Sequence, residues 1–225
     1  MDSRDHNLRL LQSVMKASIL ALLALVGALI VLSSTTFFPP EFESGFLKGR
    51  ESYFYSWYAV AFYTHVISAP VALFAGLLQS MNWLRVRNVR LHRSVGKLYV
   101  YVVLLFATPS GLVMSLKADG SILAVAGFAV LAIAAAWTTW LGLKQIRRGD
   151  VAKHRRWMTR SYLLIASAVT LRFLAAITNE FALGINYDAM AWLCWAPQIA
   201  VYELLLFFPS RILGVDKHGD SALGD

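Results

Sequence analysis

Residues 122–143 read ILAVAGFAVLAIAAAWTTWLGL, twenty-two consecutive positions without a charged side chain. A helix rises 1.5 Å per residue, so a run of this length matches a bilayer core about 30 Å thick. Period-2 alternation is absent, and no polar face repeats every three or four residues as it would on a helix lying on a soluble core. The stretch predicts a transmembrane helix. Five more runs of similar character lie at approximately 17–33, 57–81, 98–116, 157–178 and 189–208. The expected fold is therefore all-α, one integral membrane bundle of six transmembrane helices spanning residues 1–225.

Composition agrees with this. Hydrophobic residues make up 58% of the chain and charged residues 15%, with a mean hydropathy of +0.57, far from a soluble globular average. Helices and short connectors use almost the whole sequence, which leaves no segment for a nucleotide-binding or hydrolase domain. The first run follows Arg4, Arg9 and Lys16 in the charge order of a signal peptide. It is too long and lacks a small-x-small cleavage site, so it is read as a retained helix.

The net charge of +8 does not predict nucleic-acid binding, because the basic residues cluster at the ends of apolar runs. Seventeen lysines and arginines fall before the first run, between the second and third, between the fourth and fifth with Arg160 at the start of the fifth, and after the sixth. Three, Lys48, Arg50 and Lys117, fall on the other side, and Arg172 lies inside a run. Basic loops stay in the cytoplasm, so both termini are expected there. The expected location is a bacterial inner (cytoplasmic) membrane. The tail after Pro209 is short and polar and is expected to be mobile. Cys194 is the single cysteine, which excludes an internal disulfide and a thiolate metal cluster.

Two connections resemble each other. The loop after the second run leads into His92-Arg93 and the loop after the fourth into His154-Arg155, each at the start of a helix leaving the basic side. A parallel repeat with its axis along the membrane normal accounts for this. His92 and His154 then lie at one level, where two neutral imidazoles form a candidate axial pair for a haem iron, with Arg93 and Arg155 near the propionates. Gly96, one turn after His92, would let a flat macrocycle approach. The same His-Arg starts also suit the phosphates of membrane lipids, and Trp83, Tyr99, Trp157 and Tyr162 suit an interfacial aromatic belt.

Ionisable residues inside a bilayer are functional candidates. His65 and Arg172 both come out roughly 20 Å from the basic edge, too far from His92 and His154 to share a metal. A partner for Arg172 at that level is the His65 imidazole, a helix carbonyl, or the oxygen of an anionic cofactor or quinone. Glu203 is the carboxylate set within the last run, suited to a proton relay or to pairing with an arginine. No helix carries the paired Gly/Pro interruptions expected of a transporter.

The motifs His92-Arg93-x-x-Gly96-x-x-Tyr99 and His154-Arg155-Arg156-Trp157-Met158-x-Arg160-Ser161-Tyr162, with His65 in Tyr63-Thr64-His65, resemble an uncharacterised family of predicted bacterial and fungal membrane proteins, domain of unknown function 2306. The match covers about helices two to five. It implies the architecture and singles out the three histidines without naming a reaction. A looser similarity is to the six-helix cytochrome b561 group, whose central helices carry two pairs of haem-ligating histidines. By that similarity His92 and His154 form the cytoplasmic pair, while the run at 122–143 has no histidine to complete the other pair with His65. The expected function is electron transfer, with a b-type haem at His92 and His154 exchanging electrons with a quinone near His65 and Arg172. The alternative is a non-catalytic, lipid-binding accessory subunit of a larger respiratory or photosynthetic complex.

Overall fold

The computed structural model describes residues 3–43 and 45–208. Among them no strand occurs, and six helical segments are long and apolar enough to cross a membrane. These are α1, Ser3–Ser34, then α2, Glu51–Ser80, α3, Val89–Ser115, α4, Ile122–Arg147, α5, Val151–Glu180, and α6, Tyr187–Phe207. Arg211, Lys217 and the tail after Pro209 lie outside the described residues. Leu22, Leu29, Val60, Ile133 and Phe173 all stand exposed on the outer surface of the bundle. A face of this kind is unfavourable against water and ordinary against lipid tails.

The helices run alternately up and down. The end of α1 meets the start of α2, where Phe37 packs edge-on to Phe62 and the Tyr63 hydroxyl donates to the Phe37 carbonyl at 3.0 Å. At the finish of α6, Glu203 pairs with Arg160 near the start of α5. So α1 begins and α6 finishes at the end that carries the arginine-rich loops, here the basic end. The residues that hold the helices together are small, as expected where lipid supplies no hydrophobic drive and backbones must approach closely. Gly76 of α2 faces the Tyr162 and Tyr99 rings, Gly142 of α4 faces Met158 of α5, and Gly127 of α4 faces Ala191 and Trp192 of α6.

A line of hydroxyls ties three helices at mid-height. Tyr99 of α3 meets the Ser161 hydroxyl of α5 at 2.7 Å, and Ser161 meets Thr139 of α4 at 2.6 Å. Thr139 donates to the Ala135 carbonyl at 2.6 Å, which sets the direction of the others: Ser161 donates to Thr139, and Tyr99 donates to Ser161. All three residues are buried, so each hydroxyl needs its partner. The line ends on a carbonyl and ties helices rather than conducting protons through them.

Irregular backbone is concentrated at the opposite end. In α2 the ladder is broken at Tyr55 and Ser56 within a wide turn over Phe54–Tyr58. In α3 a π-turn occupies Val103–Ala107 just before Pro109, and the Thr108 hydroxyl takes up the Val103 carbonyl at 2.8 Å. In α6 the helix stops at Leu193 and resumes at Ala196. The breaks in α2 and α6 fall inside segments whose length and composition suit a single membrane span. In α2 the break lies beside a fully buried cluster of Leu47, Phe54, Tyr58 and Phe62. Non-helical backbone at membrane depth is tolerated where protein buries it or where it lines a cavity.

Candidate functional site

A cavity of about 190 Å³ lies between α2, α3, α4 and α5 in the irregular half. It runs from Phe46, Lys117 and Tyr187 at its mouth to Ala135 and Ile165 at its inner end, and His65 is part of its wall. The Nδ1 of His65 lies 3.0 Å from the Ala107 carbonyl, the last residue of the π-turn. A carbonyl only accepts, so Nδ1 carries the proton and the neutral ring keeps the lone pair on Nε2. Nε2 has no hydrogen-bond partner among the described residues. Gly111 makes room for this ring: a Cβ there would lie 3.1 Å from Cε1 and 3.2 Å from Nδ1 of His65.

The mouth is held by Arg50, 2% exposed. Its Nε donates to the Phe46 carbonyl at 2.8 Å, and one terminal nitrogen donates to the Tyr53 hydroxyl at 2.9 Å and the Lys117 carbonyl at 2.6 Å. The other pairs with the Asp119 carboxylate. This clamp fastens the segment between α1 and α2 to the turn between α3 and α4. Burial works against the charge of Arg50, and Tyr58, Asp119 and Tyr53 outweigh it and hold its pKa above the ordinary value. In the sequence Arg50 counts for topology alone; two of its four partners, Lys117 and Asp119, are 67 and 69 positions away, so no local pattern marks the clamp.

Arg172 is exposed on the outer face of α5 and is not part of the cavity wall. His65 and Tyr187 are within its electrostatic reach, and among the described residues it makes no hydrogen bond or ion pair. The two residues expected at one level are near each other, with the histidine facing in and the arginine facing out. On α4 the cavity wall is Phe128, Leu131, Ala132 and Ala135.

At the basic end His92 and His154 occupy equivalent places. Asn88 caps α3 by accepting from the Leu91 N–H at 2.9 Å, and Asp150 caps α5 by accepting from the Lys153 N–H at 2.9 Å. Each histidine is the fourth residue after its cap, with its N–H on the cap carbonyl at 2.9 Å. Seven residues on, Tyr99 and Ser161 are likewise equivalent and are bonded to each other. The two hairpins thus share one register. His154 places Nδ1 at 2.8 Å from the Gly142 carbonyl, so its Nε2 also holds the lone pair. The Nδ1 of His92 is buried without a partner, and His154, Arg85 and Arg93 are within electrostatic reach of this ring.

The donor chemistry suits a b-type haem, since both imidazoles have nitrogen to offer and one ring is oriented by a carbonyl as metal-binding histidines commonly are. Arg93 and Arg155 are exposed beside them. Gly96 does not open onto free space: the Gln79 side chain covers it, with Oε1 at 3.3 Å from where a Cβ would stand. Gln79 also donates to the His92 carbonyl at 2.7 Å. Deeper between the helices, Val95, Leu143, Met158 and Tyr162 pack against the core. Glu203 forms a two-pronged pair with Arg160 at 2.6 and 2.8 Å, which leaves pairing rather than relay as its role.

The model of a family described as predicted membrane protein (DUF2306) matches residues 62–206. The chain belongs to this family. The matched region contains His65, both His-Arg helix starts and all of the cavity wall except Phe46. No curated protein and no solved structure matches the chain.

Proposed function

We propose that this protein is a membrane electron-transfer protein that takes a quinol in the cavity beside His65 and holds a b-type haem between His92 and His154, with the basic end in the cytoplasm. The observation that carries the reading is the place of the His65 ring, in the cavity wall with Nδ1 at 3.0 Å from the Ala107 carbonyl. With Nδ1–H on the Ala107 carbonyl, the ring presents an acceptor at a mostly apolar cavity. That combination suits an apolar molecule with a hydroxyl to donate, and the same nitrogen would take the hydroxyl proton. A b-type haem, when bound, supplies one-electron redox chemistry. His92 and His154 would hold it, and Arg93 and Arg155 would face its propionates.

Absorption spectra of protein purified from haem-replete cells, oxidised and reduced, test this. A Soret band lost in His92→Ala and in His154→Ala supports the reading, and colourless wild-type protein ends the haem part of it. Quinol binding that is unchanged in His65→Leu ends the other part. A second reading, a lipid-binding accessory subunit, is favoured by one observation: Arg172 faces outward at membrane depth without a hydrogen-bond partner among the described residues. It predicts fixed-stoichiometry co-purification with other subunits and no cofactor.

A further inference from the structure

The size and walls of the cavity narrow what the site can take. An apolar cavity of about 150 Å³ accommodates a benzene ring, and the present one is about 190 Å³. The surplus corresponds to the few substituent atoms of a one-ring quinol, not to those atoms together with a second fused ring. The walls do not retreat easily. On the α4 side Ala132 and Ala135 line the cavity, and α4 is held to its neighbours where Gly127 meets Ala191 and Trp192 and where Thr139 is tied to Ser161. On the α3 side Gly111 and His65 are already in contact. Packed interiors pass a size mismatch into strain rather than absorbing it.

We infer that the site is specific for a single six-membered ring bearing a hydroxyl group, seated with that hydroxyl toward His65, and that it discriminates against fused two-ring quinols. The inference rests on the cavity being a quinol site and adds the class of head group. The lining hydroxyls of Thr108, Ser115 and Ser167 donate to helix carbonyls, so the other polar side chains of the lining are His65 in the wall and Lys117 and Tyr187 at the mouth. A one-ring quinol carries oxygens at opposite ends and meets this distribution, with the ring among alanine and leucine side chains.

The test is titration of the purified protein in nanodiscs with toluhydroquinone, which has one ring, and menadiol, its two-ring counterpart, followed by calorimetry. Partition into an apolar environment alone favours the larger menadiol. The expected result is the reverse order, with toluhydroquinone bound about tenfold more tightly. In Leu131→Ala, which removes part of one wall, menadiol is expected to gain affinity and close most of that gap. Equal affinities, or tighter menadiol, in the wild type overturn the size inference and leave the quinol reading standing. Binding of neither compound overturns both. The wild-type comparison decides without the variant, so a misfolded Leu131→Ala protein does not protect the proposal.

Discussion

His65 and His154 share one local arrangement and differ in everything around it. Each places Nδ1 on the carbonyl of a neighbouring helix, Ala107 at 3.0 Å and Gly142 at 2.8 Å. Around His154 the helices are regular, start on Asx caps and are filled by Met158, Leu143 and Tyr162. Around His65 the ladder is widened in α3 and broken in α2, and a cavity remains. A helix that changes pitch puts its next turn out of register with its neighbours, and the cavity beside His65 lies against such a turn in α3. The same imidazole is thus part of the wall of an internal cavity at one end and of the rim at the other.

The comparison is broken most severely at Arg50. Arg50→Gln removes a buried cation with four acceptors and is expected to cost about 3 kcal/mol, read as a lower unfolding midpoint in detergent. The loss should loosen the cavity end first, so cysteine-accessibility labelling should rise at Phe46→Cys and stay flat at Val95→Cys. Equal labelling at both ends would show that the two regions unfold as one.

Gly76→Ala tests the crossing that both ends share. Its Cβ collides with the Tyr162 ring, and overpacking there is expected to cost about 2 kcal/mol by the same midpoint measurement, with both ends affected together. A midpoint within error of the wild type would mean that Tyr162 can swing aside. Tyr99→Phe removes the donor to Ser161 and is expected to cost about 1 kcal/mol, because Ser161 keeps its bond to Thr139.

Two glycines sharpen the contrast between the histidine levels. Gly111→Ala presses on the His65 ring and should weaken toluhydroquinone binding about fivefold. Gly96→Ala meets only the flexible Gln79 side chain and should leave that affinity unchanged. Equal effects would remove the distinction between cavity and rim.

The smallest expected effect is at the cap of α5. The Lys153 N–H and then the Lys153 side chain hold the Asp150 carboxyl below its usual range. A depressed carboxyl stabilises the fold above its ordinary titration range, and that contribution is lost as the pH falls through the lowered value. Asp150→Asn can still cap but cannot titrate. Between about pH 7 and about pH 3 its midpoint should therefore fall slightly less than that of the wild type. An identical fall in both proteins would show that the cap charge carries no stability.

Much of this was legible in the linear chain. The uninterrupted run at 122–143 and its five companions specify helices because a bilayer core leaves backbone groups no other partners. The level shared by His92 and His154 follows from equal spacing after equal loops, and the caps that enforce it, Asn88 and Asp150, are local signals. The level shared by His65 and Arg172 follows from counting rise per residue. The direction each faces does not follow, because an all-apolar helix has no polar stripe to orient it.

The sequence by itself thus determined the class, the number of helices and the heights of their ionisable residues, since length and local charge suffice for those. Tertiary structure alone decided the clamp at Arg50, the covering of Gly96 by Gln79, the pairing of Glu203 with Arg160 and the cavity beside His65. Each of these depends on which face of one helix meets which face of another. In a bundle apolar on every side, that choice is made by small residues and close packing across many turns, not by any pattern within a single helix.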